Sequence, residues 1–532
     1  MTPDGRPFRR VLIANRGEIA VRIIRACREL GIETVAVFSD ADRHAGHVRA
    51  ADRAIRIGPA AAAESYLAID AILGAALESG ADAVHPGYGF LAERPAFAAA
   101  VESAGLVFVG PDSRTIAAVG DKLAARRLAR SVGVPVVPGT LEPASVKDVE
   151  QLAAVVAAAD QTGYPLLVKA TAGGGGRGMR RVAGRDDLQA ALAAAAAEAQ
   201  AAFGDGAVYL EREIRPARHI EVQLFGDAAG RVVAIGERDC SIQRRHQKLI
   251  EEAPAPGLSE RNRAELHELA TRVAVAAGLR NAATAEFLFD RDGAFWFLEV
   301  NARLQVEHGV TELVSGVDIV HEQLWLAAGA PLSAAALAAA ERANRPAGHA
   351  IEVRISLEDP ARSFRPLAGR VGRFALAAGP GIRVDTAIEA GERIPPDYDP
   401  LIAKLLVHAP DRAGAIERLA RALDETEIGG VQTTLPFHRF VAGNAAFRAG
   451  HLSTDFVADH WNGPASRAEA VRRALLAAGL AAFEPEPADG HPRGPDEGAP
   501  AQQGGTSTPG TMELQSAWRS DGRATATDRW PR

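Results

Sequence analysis

TAEFLFDRDGAFWFLEVNARLQVE (284–307) decides how this chain folds. Thr284–Asp290 and Ala294–Val300 are rich in aromatic and apolar residues, and Asp292-Gly293 between them is a favoured two-residue hairpin turn. A turn centred there sets Glu286 opposite Glu299. Like charges so placed destabilise a strand pair by a few tenths to about 1 kcal/mol. They make sense with a hard cation between them, because Mg²⁺ takes carboxylate, phosphate and water oxygens. The flanking Phe287, Leu288, Phe289, Phe297 and Leu298 are expected to be buried. Beyond the hairpin, Glu299, Asn301, Arg303, Gln305 and Glu307 alternate with Val300, Ala302, Leu304 and Val306. An extended segment then carries five polar groups on one face. Arg303 suits a bidentate grip on a small planar oxyanion. Glu307, set apart from the carboxylate pair, suits a general base.

Working outward, the next signal is lysine. Of 60 lysines and arginines only five are lysines: Lys122, Lys147, Lys169, Lys248 and Lys404. A compact ammonium fits between phosphate oxygens where a planar guanidinium fork does not. Lys169 ends strand-like Pro165–Ala170 just before Gly173-Gly174-Gly175-Gly176-Arg177-Gly178. Such glycines let backbone N–H groups approach phosphate and form a mobile cover. Lysine precedes the glycines, so this is no Walker A loop. Arg238, Arg244, Arg245, His246 and Lys248 form a basic group inside Glu237–Glu252, and the acidic flanks favour a small anion over nucleic acid. His85-Pro86-Gly87-Tyr88-Gly89-Phe90 is a glycine-rich turn at a strand end, where α/β sheets build ligand crevices.

Size and composition bound the rest. The 532 residues suggest two to four domains, and 47% hydrophobic with 24% charged residues is ordinary globular composition. A net charge of −7 argues against nucleic acid as the main partner. Two cysteines, Cys27 and Cys240, supply neither a disulfide framework nor a cysteine metal cluster. The polar, basic N-terminus lacks the apolar core of an export signal. Alanine-rich Leu188–Phe203 is too polar for a membrane span, so a cytoplasmic protein is expected. Apolar runs alternate with amphipathic segments from residue 8 to about 110, which implies a mostly parallel sheet. Residues 114–335 read as a mixed α and β region with a semi-independent insert at about 140–210. Residues 345–450 read as β-rich. The Pro-, Gly- and Ser-rich stretch 483–532 reads as disordered.

Together these segments resemble biotin carboxylases of the ATP-grasp superfamily. The carriers are IANRGEIAVRIIRAC (13–27), HPGYGFLAE (85–93), GDK (120–122), VKATAGGGGRGM (168–179), ERDCSIQRRHQKLIEEAPAP (237–256) and EVNARLQVEHGVTE (299–312). The resemblance implies a Rossmann-like N-terminal domain (1–113), a central ATP-grasp domain with a mobile lid (114–335) and a β-rich C-terminal domain. It implies that Lys122, Lys169, Gly175 and Gly176 contact ATP phosphates, and that Glu211, Arg212, Ile214, His219, His246 and Leu288 lie around the nucleotide. Glu286, Glu299 and Asn301 would hold Mg²⁺ or Mn²⁺. Lys248, Arg303, Gln305 and the Val306 amide would hold bicarbonate, with Glu307 as its base. Arg354 would stabilise the biotin enolate beside Tyr88. No lysine stands in the Met-Lys context of a biotin acceptor. Biotin is therefore expected on a separate carrier protein, together with a carboxyltransferase subunit, and the chain itself as a homodimer. The acceptor implied is an acyl-CoA, with a urea-type carboxylase as the alternative. Ala172, Ala302, Gly309 and Thr434 depart from the usual family pattern, in which a glycine, threonine, proline and asparagine stand.

Overall fold

The computed structural model describes residues 2, 5–171 and 179–483. Its first layer is a parallel sheet of β1 (Arg10–Ile13), β2 (Glu33–Ser39), β3 (Arg53–Gly58), β4 (Ala83–His85) and β5 (Val107–Phe108). The strand order is β3-β2-β1-β4-β5, so the direction of winding reverses between β1 and β4. Ligand crevices form at the carboxyl ends of strands at such a reversal. Here those ends carry Asn15 and Tyr88. Asn15 Nδ2 donates to the carbonyls of Pro86 (2.8 Å) and Tyr88 (2.7 Å), pinning the glycine turn. Gly87 lies at φ +62 with Asn15 packed where a Cβ would stand. Helix α1 (Gly17–Glu29) follows β1 and buries Ile19, Ala20, Ile23, Ile24 and Cys27. Its N-cap Arg16 makes no side-chain cap; the Arg16 N–H bonds Asn15 Oδ1, and the first turn carries buried Glu18.

A second unit is a three-stranded sheet, β7-β6-β8, made of β6 (Leu166–Ala170), β7 (Met179–Val182) and β8 (Val208–Arg212). Helices α2 (Val149–Thr162) and α3 (Arg185–Phe203) cover it. It has its own core, including Val155, Ala159, Leu166, Val168, Leu192 and Leu210. The glycine loop between β6 and β7, with Gly175 and Gly176, lies outside the described residues. One backbone segment ties this unit to the body. The Arg212 N–H donates to the Pro138 carbonyl (2.7 Å), and the Phe297 N–H donates to the Pro135 carbonyl (2.8 Å).

The largest element is an eight-stranded antiparallel sheet. Its strands are β9 (Ala217–Gly226), β10 (Val232–Arg244), β11 (Gln247–Ala253), β12 (Asn281–Asp290), β13 (Phe295–Asn301), β14 (His349–Ser356), β15 (Ile382–Thr386) and β16 (Leu401–Ala409). They run in the order β13-β12-β9-β10-β11-β14-β16-β15. The ladder therefore passes without a break from the central region into the C-terminal one. Helix α4 (His308–Ser315) packs over its middle, and α5 (Gly463–Phe483) closes the described chain. Residues 484–532, where disorder was expected, lie outside the described residues, while residue 483 ends a helix. Among the described residues no helix is long and apolar enough to cross a membrane. Cys27 and Cys240 are both buried and unbridged.

Three sequence expectations need correction. The hairpin turn is not a two-residue loop: the Asp290 N–H bonds the Ala294 carbonyl, and Gly293 sits at φ +84. That is a three-residue loop with a left-handed last position. The extended run also stops at Asn301, and residues 302–307 turn into α4 instead of continuing as strand. Of the five flanks expected to be buried, Phe287 and Phe297 are, while Leu288, Phe289 and Leu298 are half-buried.

Candidate active site

Glu286 does face Glu299. The longer loop shifts the pairing by one, giving Phe287↔Phe297, and a bulge at Leu298 shifts it back. The row continues across the sheet as Glu286↔Glu221 on β9 and Glu221↔Arg238 on β10. Residues directly opposed on neighbouring strands share a face, so four strands place three carboxylates and a guanidinium in line.

Lys248 from β11 enters this row. Its Nζ lies 2.6 Å from Glu221 Oε2, 2.9 Å from Glu286 Oε1 and 2.7 Å from Glu307 Oε1. Burial disfavours its charge, but Glu221, Glu286 and Glu307 outweigh that and raise its proton affinity well above the ordinary lysine value. A spherical ammonium donates to three oxygens at once, where the planar guanidinium presents a fixed fork. Burial likewise pushes the Glu307 carboxyl up, while Lys248, Arg354 and Arg238 hold it well below the usual carboxylate range. Arg354 on β14 donates through Nη2 to Glu307 Oε2 (2.9 Å) and through Nε to Glu251 Oε1 (2.6 Å). Glu251 rises to about 7, because burial and the Glu307 charge exceed the pull of Arg354.

Arg303 and Gln305 come to the same place although the strand has ended. Arg303 Nη1 donates to Gln305 Oε1 (2.8 Å), its Nη2 donates to Asn301 Oδ1 (3.1 Å), and its Nε pairs with Glu93 at 2.9 Å. Asn301 Nδ2 donates to Glu286 Oε1 at 2.8 Å, and His219 Nε2 stands 2.8 Å from Glu286 Oε2. Leu288 pairs with His219 in the ladder. Lys122 lies 3.6 Å from Glu299. Lys169 pairs with Glu211, which Arg126 also meets at 3.2 Å. Arg212 and Ile214 stand at the end of β8 and just beyond it. Tyr88 donates to Glu18 at the crevice of the parallel sheet.

The basic group of 238–248 separates. Arg238 is fully buried and donates to Glu221, Gln223, Thr284 and Thr311. Arg245 and His246 stand exposed at the tip of the β10–β11 hairpin with φ +50 and +65. Glu221, Glu251 and Glu352 were not singled out by sequence reading. Glu221 had a signal, since His219, Glu221 and Gln223 alternate inside an apolar strand in the same period-two pattern as 299–307.

Three departures now have a physical setting. A Cβ on Gly309 would stand 2.4 Å from Leu406 Cδ2, so Leu406 occupies the space that a larger residue would use. Thr434 Oγ1 donates to the Arg354 carbonyl (2.9 Å) and accepts from the Ser356 N–H (3.1 Å), holding the strand that carries Arg354. Ala302 packs in the core at 2% exposure. Ala172 lies outside the described residues.

Residues 7–116 match the family Biotin carboxylase, N-terminal domain; residues 121–335 match Carbamoyl-phosphate synthase L chain, ATP binding domain; and residues 352–459 match Biotin carboxylase C-terminal domain. The biotin carboxylase of Nostoc sp. is 48% identical over 450 residues, which cover 85% of this chain and 98% of that protein. The chain belongs to the biotin carboxylase family. It is accordingly an ATP-dependent ligase with an ATP-grasp domain. A pyruvate carboxylase subunit from Methanothermobacter thermautotrophicus is 46% identical over 456 residues, covering 86% of this chain and 91% of the relative. Among solved structures, the biotin carboxylase domain dimer of Hydrogenobacter thermophilus 2-oxoglutarate carboxylase, in complex with MgADP, ADP and bicarbonate, superposes with a TM-score of 0.80. It shares 44% identity and covers 85% of this chain and 98% of that one.

Proposed function

We propose that this chain carboxylates biotin carried on a separate protein, using ATP and bicarbonate. The observation that carries the reading is the buried Lys248, joined to Glu221, Glu286 and Glu307 within a site that also holds Arg303 and Arg354. Lys122 and Lys169 take the ATP phosphates and exchange their present carboxylate partners for them. His246, Glu211, Arg212, Ile214, His219 and Leu288 line the nucleotide, and Gly175 and Gly176, which lie outside the described residues, are assigned to its phosphates. Lys248, Arg303, Gln305 and the Val306 amide hold bicarbonate.

The opposed Glu286 and Glu299, with Asn301, offer a hard oxygen donor set that suits Mg²⁺ or Mn²⁺. The ion supplies neutralisation of phosphate charge when bound. Glu307 takes the bicarbonate proton as a bicarbonate oxygen attacks the γ-phosphorus and the bond to ADP breaks. The carboxyphosphate splits into CO₂ and phosphate, and the phosphate accepts the biotin N1′ proton. Arg354 holds the resulting enolate charge while biotin, beside Tyr88, attacks CO₂. Glu307 is ionised but weakly basic while Lys248 and Arg354 grip it. Transfer of those two cations to substrate oxygens is what makes it a proton acceptor.

The purified protein is expected to release phosphate from ATP only with bicarbonate, and faster with free biotin. A rate indifferent to bicarbonate overturns the reading. We assign to its assembly a second copy of this chain, a biotin carboxyl carrier protein and a separate carboxyltransferase, with an acyl-CoA as final acceptor. A 2-oxo acid is the second reading, favoured by the similarity to pyruvate and 2-oxoglutarate carboxylase components. The packing of Leu406 against Gly309 accounts for that glycine without reference to the acceptor, which weakens the urea-type alternative. Product formation by the co-purified transferase, assayed with acetyl-CoA, propionyl-CoA and pyruvate, decides among them.

A further inference from the structure

Lys404 is one of only five lysines in the chain, and it has no part in the site described so far. It is fully buried on β16, opposite Arg354 of β14. Its Nζ donates to the Val306 carbonyl at 2.8 Å. The same ammonium lies 3.3 Å from Glu18 Oε1 and 3.7 Å from Asp385 Oδ2. Glu18 Oε1 also accepts the hydroxyl of Tyr88. One cation thus meets three parts of the fold: the turn leading into Glu307, the first helix of the parallel sheet, and strand β15.

We propose that Lys404 is a positioning residue for the carboxylation reaction. Its ammonium fixes the Val306–Glu307 peptide at the bicarbonate end of the site and, through Glu18, ties that peptide to Tyr88 at the biotin end. The proposal rests on the reading of the site given above. The peptide unit is planar, so holding the Val306 carbonyl also sets the direction in which the chain enters Glu307. Glu307 is the residue whose two oxygens meet Lys248 (2.7 Å) and Arg354 (2.9 Å). Residues 306 and 307 form a turn outside any helix or strand ladder, so no regular backbone bond does this work. An arginine would bring a fork into a space already shared with Arg383, which is engaged with Asp385 and Glu312.

A lysine that merely balanced the charges of Glu18 and Asp385 would affect folding, not the affinity for one substrate. The test therefore pairs Lys404→Met with the double variant Glu18→Gln/Lys404→Met. The double variant removes Lys404 together with Glu18, keeps an oxygen for Tyr88 and leaves Asp385 paired with Arg383, so it leaves no uncompensated charge. Bicarbonate-dependent ATP hydrolysis is measured against bicarbonate and against ATP. In both variants the KM for bicarbonate is expected to rise at least tenfold while the KM for ATP stays within about twofold. A bicarbonate KM in the double variant within twofold of the unaltered protein overturns the proposal, as does an equal rise in both KM values. Absence of bicarbonate-dependent hydrolysis in the unaltered protein would instead remove the reading of the site on which the proposal stands.

Discussion

Glu307 has two buried oxygens and two cations, one on each, and this arrangement keeps it ionised until substrate draws the cations away. Glu307→Gln keeps the shape but loses the proton-accepting charge, and its amide nitrogen leaves one of Lys248 and Arg354 without its acceptor. Turnover is expected to fall by at least about a thousandfold, with the Kd for ATP by calorimetry within about threefold. Carboxylation near the level of the unaltered protein would remove Glu307 as the base. At this scale much of the candidate site was legible: Glu286 stood out by its hairpin pairing with Glu299, and Glu299, Asn301, Arg303, Gln305 and Glu307 by alternation, all within 24 residues of sequence. Glu251 and Glu352 were not legible, because they meet only as a cross-strand pair about a hundred residues apart. Glu352 has no hydrogen-bond partner on either oxygen among the described residues, and burial foremost raises its carboxyl well above the usual range. Nothing in the local sequence separates such an unpartnered acid from a paired one.

At the level of elements, the hairpin shows how a right pairing arises from an incomplete picture. A two-residue turn predicts Glu286 opposite Glu299; the actual loop has three residues, and the bulge at Leu298 restores the register. Asp-Gly signals a tight turn but not its length, and a bulge is set by packing against the neighbouring strand. Strands β9, β10 and β11 supply Lys248, Glu221 and Arg238, yet sequence reading placed no strands there, because their inward faces are charged. The backbone link between the three-stranded unit and the body also has a checkable weak point. Gly139 sits at φ +156, and a Cβ there would stand 2.0 Å from the Leu210 carbonyl oxygen. Gly139→Ala is expected to cost more than about 2 kcal/mol in stability, since backbone must shift. Amide exchange over 208–212 should quicken more than over β12; equal protection in variant and parent would show that the link is slack.

For the molecule as a whole, Glu312 is a junction. It accepts from Arg22 of α1 at 2.8 Å and from Arg383 of β15 at 2.6 Å. Burial alone would raise its carboxyl, but Arg22, His308 and Arg383 bring it from the ordinary 4.5 down to about 2. A folded value below the unfolded one means that the stabilisation is complete above about pH 4.5. It is lost as the pH falls from there toward 2. Such a shift corresponds to about 3 kcal/mol. Thermal unfolding between pH 6 and 3 should therefore show a falling Tm that is flatter in Glu312→Gln; identical slopes would remove Glu312 from the acid response. The eight-stranded ladder has a different consequence. Between β11 and β14 the backbone pairs Ile250 with Val353 and Ala253 with Ala350, across the point where one family match ends and the next begins. The chain is thus divisible in sequence but not in structure: a gene cut there yields two fragments with bare strand edges, each completed only by annealing to the other.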